Sequence, residues 1–595
     1  MNKNQSTARW YIASSMFLTG LCGFVFECIL STSSTHIFGN STKEWTFTIS
    51  FMLLMMGLAS YLQKFPAFIK NEKLIEQFIF IEMALALLGA FAPIILFSAH
   101  AFFPEKVGGF QIFLVGGIGF LIGLEIPVAQ RINEKYASLA KNISDTIALD
   151  YIGAFVGAQL FYRYLLKEFP LEQISFVVAV FNYIVAVMAY WYFYKQGNIR
   201  NVIQTRLLIG FTATALIAGF LLTPLVTMSQ RQKFFRDHVI IELQTEYQHI
   251  VVTRNARTGN HDLFLNGQLQ FSGDDEERYH EPLVIPAITL WSLDEKRTGN
   301  KLNVLILGGG DGLAANIVRN YPSVNSITMV DIDPGMVKFC ASNPVITQYN
   351  QDVFKDANVA VLKSGAIRSM GPVPVYYEIG GINDKRKKHE ISQVTEVADW
   401  EIEVESFVGE LQNQKLNKFV ILNYDADLFI SKIKDRKWDV IIIDFPDPRT
   451  SELAKLYSWE FYVKIRSILA EGGIMVTQAT SPYYAKEVFL SIRRTMEAAG
   501  FKTIPYQGFV GSFGGNWGWI IGHLLPNADL DNRLLALHQM ESFKVPTRYL
   551  KPSMFQSLRT FGKGDLTAEE YPDAINYLTS IPTLDVIYEK AWQKL

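Results

Sequence analysis

The chain has 595 residues, with 55 Lys and Arg against 57 Asp and Glu, a net charge of −2, 19% charged and 13% aromatic residues, and a mean hydropathy of +0.14. That length suits two or more domains, the balance is apolar for a wholly water-exposed protein of this size, and a net charge this small excludes the global basic field of a nucleic-acid binder. Three cysteines, Cys22, Cys28 and Cys340, provide neither a disulfide framework nor a zinc-ligand spacing, so no metal is expected.

The averages conceal a division. From about residue 10 to 226 the chain is a series of apolar blocks, near 10–31, 44–62, 75–100, 108–129, 144–166, 172–194 and 203–226. A bilayer core needs roughly 20 apolar residues per helix, so residues 1–230 read as a transmembrane bundle of about seven helices. One block follows another, unlike a cleavable signal peptide. Glu27, Glu125, Asp145 and Asp150 lie in or beside these blocks. Carboxylates at bilayer depth are costly and are usually paired, cavity-facing or interfacial; either a polar cavity or interhelical hydrogen bonding accounts for them. Gly153, Gly157 and Ala158 suit close helix packing.

From about residue 237 the composition is ordinary. Residues 237–290 predict a small β domain: "EYQHIVVTRN" alternates, "DLFLNGQLQFSG" reads as a hairpin turning at Asn266-Gly267, and "RYHEPLVIPAITL" turns helical. Residues 291–530 predict a doubly wound parallel sheet, with strands "KLNVLIL", "SITMVDID", "FVILNYDADLF", "KWDVIIIDF" and "GGIMVTQAT" alternating with helices. A polar stretch at about 356–417 reads as an insertion outside the sheet, and 531–595 as a helical tail.

The first strand runs into "GGGDG" before a helix. Gly308, Gly309 and Gly310 let the backbone lie against a ligand where a Cβ would clash. Asp331, about 20 residues on, stands where a ribose-binding acid usually stands. The pattern suits NAD and S-adenosyl ligands equally. Asp311 in the turn would repel a pyrophosphate and attract a cation, and a sulfonium is a cation. Asp425, Asp444 and Asp447 follow later strands. Ligands of open parallel sheets bind at the carboxyl ends of the strands. One acid there is commonly a loop cap; five in succession point to a crevice for an amine and a sulfonium donor.

At these residues the sequence resembles the spermidine synthase (polyamine aminopropyltransferase) family, through "EYQHIVV", "LFLNGQLQ", "YHE", "LILGGGDG", "MVDID", "NYDA", "DFPDP" and "TQATSPYY". The resemblance implies decarboxylated S-adenosylmethionine as co-substrate. On that analogy Gln248, His280 and Asp311 line the sulfonium and its tail, Asp331 takes the ribose, and Asp425 with Ala426 takes the adenine. Asp444 is the base, and Asp447 and Tyr279 hold the amine. The apolar half, with "TGLCGFVFE", "GLEIPV" and "LDYIGAFVGAQLF", resembles the bacterial branch in which seven spans precede such a domain. Two departures stand out. Phe445 and Pro446 replace the small residues between the paired aspartates, and Phe513 is the nearest match to a diamine-binding tyrosine.

The main expectation is a membrane-bound aminopropyltransferase acting on an amine such as putrescine. The alternatives are alkylation of a lipid head group or other amine, and a polyamine sensor or transporter with a weakly catalytic domain. By analogy alone the chain forms a homodimer. Lys/Arg-rich loops at 64–73, 131–141 and 195–206 favour an external catalytic half. Arg231, Lys233 and Arg236, and a donor made in the cytoplasm, favour an inner-membrane protein with a cytoplasmic one.

Overall fold

The computed structural model describes residues 3–38, 41–65, 69–134, 138–166, 169–245, 247–294, 299, 301–363, 394–398, 419–433, 435–571 and 574–593. Its contacts divide into two compact units, Met1–Arg236 and Asp237–Leu595.

The first unit contains the long helices Lys3–Phe38, Ser41–Leu62, Leu74–Phe102, Val107–Asn133, Leu139–Leu160, Leu171–Tyr194 and Val202–Phe234. Among the described residues six are long and apolar enough to cross a membrane; Leu139–Leu160, which carries Lys141, Asp145 and Asp150, is the long helix that falls short. That helix lies tightly on the first one. A Cβ on Gly153 would sit 2.0 Å from the Phe17 carbonyl oxygen, and one on Gly157 2.6 Å from that of Leu21, so glycine permits the approach. Glu125 is buried, with Thr19 and the carboxyl group of Glu82 against it. Glu82, fully buried, was not singled out from the sequence, because one acid in "FIFIEMALALLG" carries no pattern of its own. Glu27, Asp145 and Asp150 are only half-buried.

The second unit begins with an antiparallel meander, β1 (His238–Gln244), β2 (His249–Arg254), β3 (His261–Leu265) and β4 (Gln268–Ser272). Its β3–β4 turn is Asn266-Gly267, with φ of 50° and 77°, the signature of a two-residue hairpin. The helix Glu277–Ser292 follows, with Pro282 and Pro286 inside it. Pro286 has no N–H to give to the Pro282 carbonyl. The Tyr506 hydroxyl donates to that carbonyl instead, at 2.8 Å, and ties the helix to the sheet.

The large sheet contains β5 (Leu302–Gly308), β6 (Val324–Asp331), β7 (Ala357–Lys363), β8 (Val394–Ala398), β9 (Phe419–Asn423), β10 (Trp438–Asp444), β11 (Leu469–Gln478), β12 (Lys502–Val510) and β13 (Gly515–His523). Their order is β12-β13-β11-β10-β5-β6-β9-β7-β8. Both faces are covered, which is why the strands read as unbroken apolar runs. Val304, Ile306, Val440 and Ile442 join the core that includes helix Glu277–Ser292. Leu305, Leu307, Ile441 and Ile443 join a second core that includes residues of Trp459–Ile468, Lys486–Ala498 and Leu584–Gln593.

Two expectations need correction. The sheet is mixed, not wholly parallel: β13 runs antiparallel to both β11 and β12, because a tight turn at Gly511–Phe513 joins β12 to β13 without a crossover. The insertion expected at 356–417 also overlaps the sheet. β7 pairs in parallel with β9, and β8 with β7; of the rest, 364–393 and 399–418 lie outside the described residues. Deleting 360–415, which an insertion outside the sheet would tolerate, would strip β8 and most of β7 and leave β9 at the edge. The unfolding midpoint of the second unit should fall by several degrees in scanning fluorimetry; an unchanged midpoint would show the two strands to be dispensable.

Candidate active site

The sheet reverses its winding between β5 and β10: β6 and β9 lie to one side of β5, and β10 and β11 to the other. Crevices at such a switch point receive ligands. In register, Asp444 at the end of β10 pairs with Gly308 at the end of β5, and Asp331 with Asn423. Gly308 has φ of 83°, and a Cβ there would lie 2.2 Å from the Asp444 carbonyl oxygen. The turn therefore needs glycine twice over, for its left-handed backbone and for its contact with β10.

Asp444 is held from the side by Tyr279, whose hydroxyl donates to Oδ1 at 2.7 Å. Burial pushes the Asp444 carboxyl up to about 6; nearby His280 pulls the other way and Asp311 adds to the rise. The Tyr279 phenol is pushed well up, by burial first and then by the Asp444 charge, so it stays a donor. His280 is buried, its Nδ1 sharing 2.9 Å with the Glu276 carbonyl oxygen. Phe513, in the β12–β13 turn, sets its ring edge-on to Tyr279 at 5.4 Å and to Trp517 at 4.7 Å. Asp444, Tyr279, His280 and Phe513 thus come together.

Asp331 faces the glycine turn: its Oδ2 accepts from Gly310 N–H at 3.0 Å and its Oδ1 from Asp333 N–H at 2.9 Å. Burial raises its carboxyl to about 7, with the charges of Asp333 and Asp311 adding to the rise. Asp311 is buried in the turn and accepts from Leu313 N–H, two residues on, at 2.9 Å, the local bond of an Asx turn. Asp425 caps the helix Ala426–Lys432 through Leu428 N–H at 3.0 Å and pairs with Lys455 at 3.1 Å, while Ala426 is buried as that helix's first residue. Gln248 hydrogen-bonds the Asp333 carboxylate, to which Thr245 also donates at 2.7 Å. Asp333 caps the helix Pro334–Ser342, so Gln248 is seated on that helix start.

The sequence has relatives among known proteins along most of its length. The family described as "Spermine/spermidine synthase domain" matches residues 276–375 and 404–530. The chain is 31% identical to the polyamine aminopropyltransferase of Oceanobacillus iheyensis, over 97% of this chain and 96% of that protein. It is 33% identical to polyamine aminopropyltransferase 1 of Streptomyces coelicolor, over 86% of this chain and 84% of that one. The chain belongs to the spermidine synthase family of polyamine aminopropyltransferases. It is an aminopropyltransferase. A solved structure, spermidine synthase from Thermotoga maritima, aligns at 19% identity over 55% of this chain and 87% of that chain, with a TM-score of 0.37.

Several residues packed around these side chains carry no signal of their own in the sequence. Asp447 is held by Gln478 Nε2 at 3.3 Å, the Thr480 hydroxyl at 3.4 Å and the Tyr588 hydroxyl at 2.8 Å. Burial raises its carboxyl, against the lowering effects of Arg449 and those three donors. Gln478 and Thr480 were visible as "TQATSPYY" but without a role. Thr480 has φ of 60°, rare for a β-branched residue, and its N–H is held by Gln478 Oε1 at 2.9 Å. Glu281, two residues after Tyr279 on the same helix, accepts from the N–H groups of Arg548, Tyr549 and Leu550 at 2.6, 3.0 and 2.6 Å. The "VPTRYLKP" segment is thereby anchored to the helix that carries Tyr279 and His280.

Proposed function

We propose that the second unit transfers an aminopropyl group from decarboxylated S-adenosylmethionine to a primary amine, making spermidine where the amine is putrescine. The observation that carries this is Asp444: a half-buried carboxylate at the switch point, oriented by Tyr279, beside the glycine turn. An alkylamine is protonated at neutral pH, with a pKa near 10. It arrives as an ammonium, gives one proton to Asp444, and its nitrogen lone pair attacks the aminopropyl carbon bonded to sulfur. A C–N bond forms, the C–S bond breaks, and its electron pair neutralises the sulfonium to give methylthioadenosine. The product nitrogen sheds its extra proton. Asp447 and Tyr279 hold the amine, and Asp311 and His280 line the sulfonium and tail. Asp331 takes the ribose and Asp425 the adenine amino group.

Phe513 favours a variation in acceptor. Its ring rests on Tyr279 with no hydroxyl to offer, which suits an amine with apolar carbon at that position, including a lipid head-group amine delivered from the first unit. Purified protein incubated with the donor and a panel of diamines, triamines and head-group amines, read by mass spectrometry, tests both. Aminopropylated diamine supports the main reading, product on head-group amines alone supports the variation, and no product from any amine overturns it.

The donor side makes a separate prediction. Asp425→Ala should weaken every adenosyl ligand, methylthioadenosine included, by about 1–3 kcal/mol through a lost buried hydrogen bond. Asp311→Ala should weaken chiefly ligands that carry the positive sulfonium. Equal losses for charged and neutral ligands at both sites in calorimetry would sink the assignment.

The six apolar helices support a membrane protein, placed in the bacterial inner membrane with the catalytic unit in the cytoplasm, where the donor is made. A phosphatase fused after Leu595 should be inactive; an active fusion reverses the orientation.

A further inference from the structure

The last helix, Leu584–Gln593, lies beyond the residues that match the family domain, yet it reaches the Asp447 carboxylate. Leu584 and Ile587 are buried in the same core as Val488 and Leu490 of helix Lys486–Ala498. From this helix Tyr588, only 7% exposed, turns its hydroxyl onto Asp447 Oδ2 at 2.8 Å, shorter than either other side-chain donor to that carboxylate. The Arg449 guanidinium sits 5.9 Å from the Tyr588 ring centre. Trp592, one turn on, stacks on Tyr484 at 5.8 Å, and the Tyr484 hydroxyl donates to the Gly514 carbonyl at 3.2 Å, beside Phe513. One helix therefore touches Asp447 directly and, through Tyr484, the turn that carries Phe513.

A phenol aimed at a buried carboxylate is a neutral donor whose hydrogen bond is stronger to the ionised acid than to the protonated one. It favours the charged form of Asp447, and so the form that attracts an ammonium. We propose that Tyr588 is a positioning residue for the acceptor amine, its hydroxyl orienting Asp447 and favouring that carboxylate's charged form, so that the C-terminal helix is part of the substrate site. This rests on the reading of Asp447 as the group that holds the amine.

The test uses the full-length protein in detergent or vesicles, with Tyr588→Phe and Tyr588→Ala. Tyr588→Phe keeps the ring and its packing. It should raise KM for the amine about tenfold, leave KM for the sulfonium donor unchanged, and move the acid limb of kcat/KM for the amine to higher pH, because Asp447 loses a donor that favours its charged form. Tyr588→Ala, which removes the ring together with the hydroxyl, should raise the amine KM at least as much as Tyr588→Phe does. An unchanged amine KM and pH profile in Tyr588→Phe overturns the proposal, as does a parallel rise in both KM values, which is the mark of a merely structural helix. A wild-type protein that transfers no aminopropyl group overturns the underlying reading as well, so the two failures are distinguishable.

Discussion

Asp444→Asn should lower kcat by about 10²–10⁴-fold, the usual loss on removing a general base, while leaving donor affinity within a few-fold. The amide preserves the shape and still accepts from Tyr279, but it cannot take a proton from the ammonium. The same carboxyl predicts the pH profile. Burial has raised it to about 6, so kcat/KM for the amine should climb through about pH 6 as Asp444 ionises. Stability should move oppositely. A carboxyl raised above its unfolded value stabilises the fold fully at low pH, and that contribution is lost as pH rises through about 6. At pH 8 wild type carries this half-buried charge and Asp444→Asn does not, so the variant should melt a few degrees higher there and show little difference at pH 4. Turnover near wild type on every accepted amine would remove Asp444 from the role of base.

The legible part of this protein was the part written in local pattern. Six of the seven apolar blocks lie within long helices of the first unit, because apolar length marks a helix of that kind; the block at 144–166 runs past Leu160 into Phe161–Leu165. Asn266-Gly267 announced its hairpin, and the strand-to-glycine-to-helix passage at 302–319 announced the crevice. The acids at Asp331, Asp425, Asp444 and Asp447 could be placed on one edge because strand ends in a parallel sheet share an edge. What stayed hidden depended on distance along the chain. Tyr588 is 141 residues from Asp447, and nothing in "TLDVIYEKAWQ" marks a tyrosine whose hydroxyl turns inward. β7 and β8 were read as insertion because they lie next to the charge-rich run "GGINDKRKKHE". "ANVAVLK" and "VTEVA" are too short to outweigh that composition, and only pairing with β9 reveals them. The antiparallel β12–β13 edge was missed for a related reason: strand direction follows from how a turn folds, and "VGSFGGN" carries several glycines without specifying which of them reverses the chain.

Gly308→Ala should be the most damaging single methyl in the second unit. The added Cβ would sit 2.2 Å from the Asp444 carbonyl oxygen and 2.9 Å from its carbon. Both are backbone atoms of the residue that Gly308 faces across β5 and β10, so no side-chain rotation relieves the contact. The left-handed φ of 83° adds about 1–2 kcal/mol for a residue with a Cβ, and overpacking a full site adds about 1–3 kcal/mol. Together these approach a large fraction of a typical 5–15 kcal/mol stability. Any molecules that still fold must open the β5–β10 pairing where it carries the base, and a displacement of about 1 Å costs on the order of 10²-fold in rate. Gly310→Ala separates the two effects. Its Cβ would meet the Asp331 carboxylate, 2.7 Å from Oδ2, which is the end of a side chain and can swing away. The expected result is a nearly unchanged melting temperature with a donor KM raised about tenfold, as Asp331 leaves the ribose position. Wild-type melting and turnover in Gly308→Ala would mean that β5 and β10 are not held together at the site, and that Asp444 is positioned by something other than this strand pair.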